Sequence, residues 1–526
     1  MVAAIVCAGE AFPQPAIPAG PAVIPDYSAS ILTPRPPDTP RINGAKVLGV
    51  RPGHPFLFTI AATGRRPMTF GAQGLPAGLA VDAATGRITG TLAEPGTYPV
   101  TLTAQSALGR AERALRIVCG DRLALTPPLG WNSWNAGGPF VDAAKVRAAA
   151  RAMVDKGLVQ HGWTYINIDD AWQGRRGGRY GAIQPNEKFP DMKALADEVH
   201  AMGLKLGIYS TPWVTSYAGY VGGSADNPEG AWNGEVDKGR VGRRHGKVPF
   251  ALADARQWAD WGIDYLKYDW NPNDVEHVRQ MADALRYSGR DVVYSLSNSA
   301  PFDQADEWAA YSNAWRTTGD IRDTWPSMAA KGFGENKWAP FAGAGHWNDP
   351  DMLVVGLVGW EGQLHSTRLT PDEQYTHISL WSLLAAPLLI GCDMSRLDDF
   401  TVSLLSNDEV LAVSQDPLGQ QATTVSQVPN PDDPGTEVFE GRQKTELPKV
   451  LEVVARPMED GSVAAGLFNR STKPARVTAR WADLKITGKW RVRDLWRQKD
   501  LGSFDGEFSA DVKPHGVVMV QLFAEK

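Results

Sequence analysis

Apolar segments that look like strands alternate with amphipathic segments that look like helices between about residues 119 and 415. The strand-like segments include "YINID", "LKLGIY", "YLKYD" and "VVYSLS", and the helical ones include "VDAAKVRAAARAMVDKG" and "PDMKALADEVHAMG". Such an alternation over roughly 300 residues predicts a parallel sheet covered by helices. We expect a (β/α)8 barrel, with a doubly wound open sheet as the alternative.

The segments on both sides of this central region have a different pattern. Residues 1–40 are rich in Pro and Ala, which predicts an extended lead-in with little regular structure. Residues 41–118 and 416–526 contain short apolar runs separated by turn residues. They predict an Ig-like β-sandwich before the barrel and an antiparallel β-sandwich after it. The expected protein is therefore an α/β protein of three domains, with the barrel at 119–415.

Composition excludes several classes of function. The net charge of −6 gives no overall attraction to nucleic acid or to anionic membranes, and no apolar run is long enough for a membrane span. Three cysteines, Cys7, Cys119 and Cys392, allow at most one internal disulfide. The apolar start "MVAAIVCAGEAFPQPA" lacks a basic region, so a short or clipped signal peptide stays an open alternative. We expect a secreted or periplasmic protein, and the sequence leaves its oligomeric state open.

Polar residues end nearly every predicted strand of the central region. In a barrel these strand ends converge on one face, where active sites lie. Acids alternate there with Lys and Arg, which solvated loop edges alone do not explain. The residues are Asp169, Asp170, Tyr209, Lys267, Asp269, Ser295, Ser297, Asn298, Trp315, Arg316 and Asp320.

The motifs of other common chemistries are missing from the sequence. It contains no phosphate-binding loop, no dinucleotide fingerprint, no His/Cys cluster with zinc spacing and no G-x-S-x-G elbow. "NPNDVEH" and "NPDDPG" lack the twelve-residue pattern of a calcium loop, and turns explain them better. Paired carboxylates without a metal or cofactor indicate glycoside hydrolysis. We expect Lys and Arg to keep one carboxylate ionised while the other holds its proton.

Seven motifs occur in the order that is typical of one enzyme family. They are "PPLGWNSWN" (127–135), "YINIDDAW" (165–172), "GLKLGIY" (203–209), "DYLKYDW" (264–270), "WRTTGDI" (315–321), "WNDPDML" (347–353) and "QDPLG" (415–419). Together they resemble family 27 glycoside hydrolases, the α-galactosidase and α-N-acetylgalactosaminidase group. The resemblance covers about residues 120–420, and the family's architecture also includes a trailing β-sandwich.

This resemblance implies a retaining mechanism with Asp269 as the nucleophile and Asp320 as the acid/base, their carboxyls roughly 5–5.5 Å apart. It implies further substrate contacts, in which Trp134 forms the aromatic wall, Asp169 and Asp170 bind the O4 and O6 hydroxyls, and Tyr209, Lys267 and Arg316 orient hydroxyls and the nucleophile.

Structural roles remain the alternatives for some of these acids. Asp269 could serve only as an ion-pair partner of Lys267, Asp323 could take the role of Asp320 while "GDIRD" caps a helix, and one of Asp169 and Asp170 could be structural. Asp349 and Asp351 are left out of the catalytic set because turn and helix-start chemistry around Pro350 explains them.

The sequence departs from the family pattern at the rim of the implied pocket. Two positions where the family's galactosidases carry a rim disulfide are Asn271 and Tyr217 here, so packing or hydrogen bonds must hold the rim. A Gly-rich basic insert, 232–250, would lie on the same face. It predicts either a solvated loop or a rim that contacts leaving-group sugars or an acidic glycan.

The residues near the sugar's C2 also differ from those of the galactosidases. Ser297 and Ala300 match the small residues of the N-acetylgalactosaminidase branch, but Asn298 and Ser299 replace that family's Trp-Pro. Small residues leave room for a 2-acetamido group, or Asn298 could bind a 2-hydroxyl.

The leading hypothesis is an exo-glycosidase that acts on carbohydrates with a terminal α-linked galactose-type sugar and needs no cofactor. α-N-acetylgalactosaminidase and β-L-arabinopyranosidase activities are the alternatives, in that order. A carbohydrate-binding protein on an inactive scaffold is the alternative from a different class.

Overall fold

Eight short parallel strands form a closed sheet at the centre of the protein. A computed structural model describes residues 22–231, 235–360, 363–433, 437–440, 443–446 and 449–525. The strands are β1 (Leu129–Asn132), β2 (Tyr165–Asn167), β3 (Lys205–Ser210), β4 (Tyr265–Asp269), β5 (Val293–Ser297), β6 (Ala314–Arg316), β7 (Trp347–Asp349) and β8 (Leu388–Ile390).

The strands pair in chain order from β1 to β7, and β8 lies beside β1. Leu353, just after β7, closes the ring because its N–H donates to the Leu389 carbonyl (2.8 Å) and its carbonyl accepts from Gly391 (2.9 Å). The predicted (β/α)8 barrel is confirmed. The doubly wound alternative is wrong, because its strand order would reverse at the middle of the sheet.

Each strand is followed by a helix. These are α1 (Ala143–Asp155), α2 (Met192–Ala201), α3 (Ala251–Trp261), α4 (Val275–Arg286), α5 (Ala305–Tyr311), α6 (Trp325–Gly332) and α7 (Pro371–Leu383), with α8 (Asp399–Leu405) and α9 (Asp408–Ser414) after β8. Asp142, Asp191 and Asp274 cap α1, α2 and α4 by accepting a backbone N–H of the first turn. Apolar side chains between these helices and the sheet form the largest hydrophobic core.

An Ig-like domain precedes the barrel. Its four-stranded sheet contains Val47–Val50, Gly109–Cys119, Gly96–Ser106 and Thr69–Gln73, and its three-stranded sheet contains Pro55–Thr59, Arg87–Thr91 and Leu79–Val81, while Arg41–Ile42 pairs with Ala62–Thr63. Alternate residues of "YPVTLTA" face the core of this domain, since Val100, Leu102 and Ala104 are buried.

This Ig-like domain packs on the barrel where the strands begin. Thr59 Oγ1 donates to the carbonyl of Gly203 (2.8 Å), two residues before β3. His54 Nδ1 lies 2.8 Å from Asp291 Oδ1, two residues before β5. The domain therefore lies at the end of the barrel opposite to the carboxyl ends of the strands.

An antiparallel domain follows the barrel. Its six-stranded sheet contains Thr423–Pro429, Val450–Pro457, Val463–Asn469, Val517–Ala524, Lys489–Asp494 and Lys499–Asp505, Ala475–Arg480 pairs with Glu507–Val512, and Glu437–Glu440 pairs with Gln443–Glu446. It packs on α7, where Trp496 Nε1 donates to Ser379 Oγ (2.8 Å). This contact explains why nearly the whole circumference of α7 is buried.

The described part of the lead-in, from residue 22, is extended apart from one turn at Ser28–Ser30. It packs on the barrel helices, with the Tyr27 and Phe400 rings 5.4 Å apart. The candidate signal segment and Cys7 lie outside the described residues, while Cys119 and Cys392 are buried free thiols. Among the described helices, none combines the length and apolarity that crossing a membrane requires.

Candidate active site

Most of the predicted strand-end residues meet at the carboxyl ends of the barrel strands, whereas Trp315 is buried in the hydrophobic core. The strand register places three pairs side by side, namely Tyr209 with Lys267, Asp269 with Ser297, and Arg316 with Asp349. Asp169 and Asp170 follow β2 and are both buried. Trp134 begins the short helix after β1 and packs on an apolar cluster inside the barrel. Side chains from β2 to β7 therefore line one pocket.

Asp269 ends β4 and is almost fully buried, with 6% exposure. Its Oδ1 accepts a hydrogen bond from Asn298 Nδ2 at 2.7 Å. Burial raises the pKa of Asp269 to about 7, although Lys267 opposes this rise, and the charges of Asp169 and Asp320 add to it. A buried carboxylate with a raised pKa at the end of a barrel strand is a candidate catalytic group.

Lys267 forms its hydrogen-bonded ion pair with Asp169 and not with Asp269, the partner that the structural alternative gave it. Its Nζ donates to Asp169 Oδ2 at 2.7 Å. Burial alone would lower the pKa of Lys267, but Asp169 first and Asp269 second raise it above its ordinary value. Lys267 and Asp269 attract each other as expected, but the direct hydrogen-bonded ion pair joins Lys267 to Asp169.

Asp170 and Tyr209 complete the side of the pocket formed by β2 and β3. Asp170 accepts backbone N–H bonds from Ala171 (2.7 Å) and Ala218 (2.8 Å), so part of its role is structural. Burial raises the pKa of Asp170. The pKa of Tyr209 is raised well above its usual value by burial and then by the charges of Asp269 and Asp170. Its hydroxyl therefore lies among the carboxylates that line the pocket.

Asp320 follows β6, and its side chain is 55% exposed. Arg316 Nη2 lies 3.3 Å from Asp320 Oδ1 and 2.8 Å from Asp351 Oδ2. Asp323, the alternative to Asp320, is instead held by Arg368, whose Nη2 lies 2.5 Å from it. Thr324 is the residue at the N-cap of α6. Of the two acids, Asp320 is the one that lies beside Arg316.

The pKa values of the two acids differ in the direction opposite to the one we expected. Burial would raise the pKa of Asp320, but Arg316 and then Lys267 hold it below the ordinary value, whereas the pKa of Asp269 is about 7. In the free protein a proton shared by this pair is therefore held mainly by Asp269. Double displacement requires Asp269 ionised and Asp320 protonated, and this arrangement is the minor one of the singly protonated pair.

Asn298 makes a contact with Asp269 that the sequence did not predict. It adopts a left-handed backbone conformation with φ of 77°, which Asn tolerates better than most residues. Its side chain donates to Asp269, and its carbonyl accepts from Asn271 Nδ2 at 2.7 Å. The residues "SNS" interrupt the apolar strand pattern, and this interruption was the available signal in the sequence. It does not show which group the side-chain amide of Asn298 would contact.

Asp351 is one of the two acids that were left out of the predicted catalytic set, and it lies beside Arg316. The turn interpretation was correct, since Asp351 N–H donates to Asp349 Oδ1 at 2.8 Å. The helix-start interpretation was wrong, because the described residues after β7 continue irregularly to a strand at Leu357–Val358. Asp351 adopts φ of 90° and is buried against Arg316. A buried guanidinium such as that of Arg316 needs an acidic partner, and this requirement was the signal in the sequence for the role of Asp351.

Asn271 and Tyr217 occupy the two rim positions where galactosidases of this family carry a disulfide. Noncovalent contacts hold the rim at both positions. Asn271 binds the Asn298 carbonyl, as described above. Tyr217 packs against Trp213 with ring centroids 5.1 Å apart, and the Arg243 guanidinium lies 4.8 Å from the Tyr217 ring centroid. Arg243 belongs to the basic insert, of which residues 232–234 lie outside the described residues. The insert therefore contributes a cation to the rim.

Replacing Asn298 with Ala should move the basic limb of the kcat/KM profile to higher pH by about one unit and lower the plateau of the profile by a similar factor. With Asp269 as the nucleophile and Asp320 as the acid, the active form has Asp320 protonated and Asp269 ionised, and because Asp269 has the higher pKa of the two, the basic limb follows the pKa of Asp269. The Asn298 amide stabilises the ionised form, and its loss raises that pKa further. Ser297→Ala, which removes no hydrogen bond to Asp269, is the matched control. A basic limb that stays in place or moves to lower pH in Asn298→Ala would contradict this role.

Family models match most of the chain. One described as "Alpha galactosidase A" matches residues 126–231 and 241–416. An "Alpha galactosidase C-terminal beta sandwich domain" matches 449–522, and a "Putative Ig domain" matches 39–118.

Individual proteins agree with these matches. The alpha-galactosidase of Oryza sativa subsp. japonica is 36% identical over 431 residues, which cover 80% of this chain and 90% of the relative. A crystal structure from Bacteroides fragilis, described as a "putative alpha-galactosidase", superposes with a TM-score of 0.78 at 31% identity and covers 93% of this chain and 98% of that one. A β-L-arabinopyranosidase from Geobacillus stearothermophilus superposes with a TM-score of 0.62 at 28% identity, covering 76% and 97%.

A barrel whose strand ends bring carboxylates, a lysine and an arginine into one pocket suits glycoside hydrolysis, and the family matches show that this chain is a glycoside hydrolase. The matches extend over the barrel and over both flanking domains. The chain belongs to the alpha-galactosidase A family, and it is an enzyme.

Proposed function

We propose that the enzyme hydrolyses terminal α-D-galactosides by double displacement with retention of configuration. Asp269 attacks the anomeric carbon while Asp320 protonates the leaving oxygen, and this step forms a covalent glycosyl-enzyme. Asp320 then takes a proton from the water that attacks this intermediate and releases Asp269. The observation that carries the proposal is buried Asp269 at the end of β4, beside Lys267 and within the electrostatic reach of Asp320.

The remaining pocket residues suit a galactose ring. In the proposal Trp134 stacks on the apolar face of the sugar, and Asp169, Asp170, Tyr209 and Lys267 bind its hydroxyls. The ion pair of Lys267 with Asp169 fixes a donor and an acceptor next to each other. A hydroxyl that bridges the two can donate to the carboxylate and accept from the ammonium group.

Arg316 has a different role in this mechanism. Its contact with Asp351 fixes the guanidinium, and its contact with Asp320 holds that acid in position at the mouth of the pocket. Because Asp320 is largely exposed, substrate that covers it would reduce its solvation. Burial disfavours the ionised form of a carboxyl group, so this change moves the proton toward Asp320, as the first step requires.

The same pocket supports N-acetylgalactosaminide hydrolysis as a second candidate function. Ser297 ends β5, Ala300 follows it by three residues, and both are small and buried. They match positions that leave room for a 2-acetamido group. α-Galactoside hydrolysis is placed first because named relatives at more than 30% identity are alpha-galactosidases. β-L-Arabinopyranose lacks the hydroxymethyl group that Asp169 and Asp170 would bind, so that activity is third.

Relative rates on aryl α-galactoside, aryl α-N-acetylgalactosaminide and aryl β-L-arabinopyranoside test this order, with the α-galactoside expected to have the highest kcat/KM.

Ser297→Glu should lower the ratio of N-acetylgalactosaminide to galactoside kcat/KM by about tenfold or more, because a longer charged side chain fills the space beside C2. Ser297→Ala keeps that space and should leave the ratio near the wild-type value. An unchanged ratio in Ser297→Glu would mean that Ser297 does not face C2.

A further inference from the structure

Two histidines and an aspartate outside the proposed reaction meet beside the rim. His245 comes from the basic insert and His277 from the first turn of α4, and their rings stack with centroids 3.6 Å apart at 18°. His277 Nδ1 lies 2.8 Å from Asp274 Oδ1, and His245 Nε2 lies 3.8 Å from Asp274 Oδ2. One ligand atom from each of the three residues lies within 4.8 Å of the others.

We propose that His245, Asp274 and His277 bind a divalent transition metal ion of the Zn²⁺ type. Zinc takes imidazole nitrogens and carboxylate oxygens at about 2.0–2.2 Å, so its ligand atoms lie roughly 3–3.5 Å apart. Small side-chain adjustments bring the three atoms to this spacing. Two imidazoles and one carboxylate favour zinc, cobalt, nickel or copper over calcium and magnesium, which prefer oxygen ligands. Water would fill the remaining position.

The carboxylate of this cluster is already fixed by neighbouring groups. Asp274 caps α4 by accepting from the His277 backbone N–H at 3.0 Å, and Trp270 Nε1 donates to its Oδ2 at 3.1 Å. Such outer contacts are typical of metal sites because they orient the ligands before the metal arrives. His245 is also fixed through its backbone, which pairs with Trp213.

The cluster is accessible from solvent. The side chains of His245, His277 and Asp274 are 35%, 22% and 38% exposed, respectively. A metal ion can therefore enter without unfolding of the rim. The stacked rings place their nitrogens side by side, and the more exposed ring of His245 can turn to share one ion with His277.

The position of the site defines what the metal would do. Asp274 lies five residues after Asp269, in the segment that leaves β4, while His245 lies two residues after Arg243, which covers Tyr217. A metal bound by all three residues would therefore fasten the basic insert to the segment that follows the nucleophile. Its role is to position the rim, and it is distinct from the chemistry proposed for Asp269 and Asp320.

Metal titration of the full chain without a histidine tag, after chelator treatment, tests the proposal. We expect about one equivalent of Zn²⁺ or Co²⁺ to bind with a Kd of roughly 10 µM or tighter, and Co²⁺ to show the visible absorption of a low-coordinate complex with nitrogen ligands. Zn²⁺ should also raise the Tm by mass action.

Three variants and one control locate the site. His245→Ala and His277→Ala should each weaken binding by about tenfold or more. Asp274→Asn should weaken metal binding to the same extent. Because Asn is also a good helix cap, this variant tests the site even if the loss of a histidine disturbs folding. Glu276→Gln changes an exposed acid on the same helix and should bind like the wild type. Wild-type binding well below one equivalent, or unchanged affinity in the two histidine variants and Asp274→Asn, would overturn the proposal.

Discussion

Replacing Asp269 with Ala should lower kcat for an aryl α-galactoside by roughly 10⁴- to 10⁶-fold. The covalent intermediate cannot form without this carboxylate, and no other acid lies at the same position on β4. The measurement is steady-state release of the aryl alcohol, with enough enzyme to detect the residual rate. A far-UV spectrum and a Tm determination establish that the variant is folded.

A small anion separates loss of the nucleophile from general damage to the pocket. The Asp269→Ala side chain leaves space for azide, which can attack the anomeric carbon and restore turnover with a β-configured galactosyl azide as the product. Glu276→Gln is a control for an acid outside the pocket. Activity near the wild-type value in Asp269→Ala would refute the assignment. A wild-type protein that binds these sugars without turnover would instead support the carbohydrate-binding alternative.

Replacing Asp320 with Ala should have an effect that depends on the leaving group. For an alkyl α-galactoside we expect a loss of about 10²- to 10⁴-fold in kcat/KM, because the departing alkoxide needs a proton. For a dinitrophenyl α-galactoside the loss should be much smaller, since this leaving group departs without protonation. The exposed position of Asp320 means that the change should cost little stability.

Comparison of these two substrates distinguishes an acid/base from a structural residue. Loss of the acid/base also slows hydrolysis of the glycosyl-enzyme, so a burst of dinitrophenol followed by slow turnover is expected. Asp323→Asn is the informative comparison, because Asp323 is buried against Arg368 and His365. That variant should lose stability without selectivity for the leaving group. An equal loss on both substrates in Asp320→Ala would contradict the proposed role.

Much of the fold follows from local patterns. The strand segments that were read from apolar runs, such as "LKLGIY" and "YLKYD", are β3 and β4, because a barrel strand buried on both faces shows as a continuous apolar run. The closure of the ring at Leu353 could not be predicted from the sequence, because it depends on two backbone hydrogen bonds outside any of the predicted strands. The segment near Pro350 forms a turn instead of the expected helix start, and Asp351 there lies beside Arg316 of the neighbouring strand.

Strand ends indicated which residues enter the pocket, but not which of them pair. Lys267 binds Asp169, which lies 98 positions away in the chain, rather than Asp269, two positions away. This choice depends on how far each side chain reaches across the barrel. The order of the two pKa values likewise depends on Asp269 being buried while Asp320 is exposed, and sequence spacing contains no information about that difference.

The attachment of the Ig-like domain fixes the direction in which the mouth of the pocket faces relative to this domain. Its contacts at Gly203 and Asp291 lie where β3 and β5 begin, and the sugar pocket lies where the strands end. A polymer or surface held by this domain would therefore be held behind the enzyme, with the length of the barrel as a spacer. The mouth of the pocket would then open away from the anchor, toward chain ends that arrive from solution, and substrate choice would be independent of whatever holds the domain.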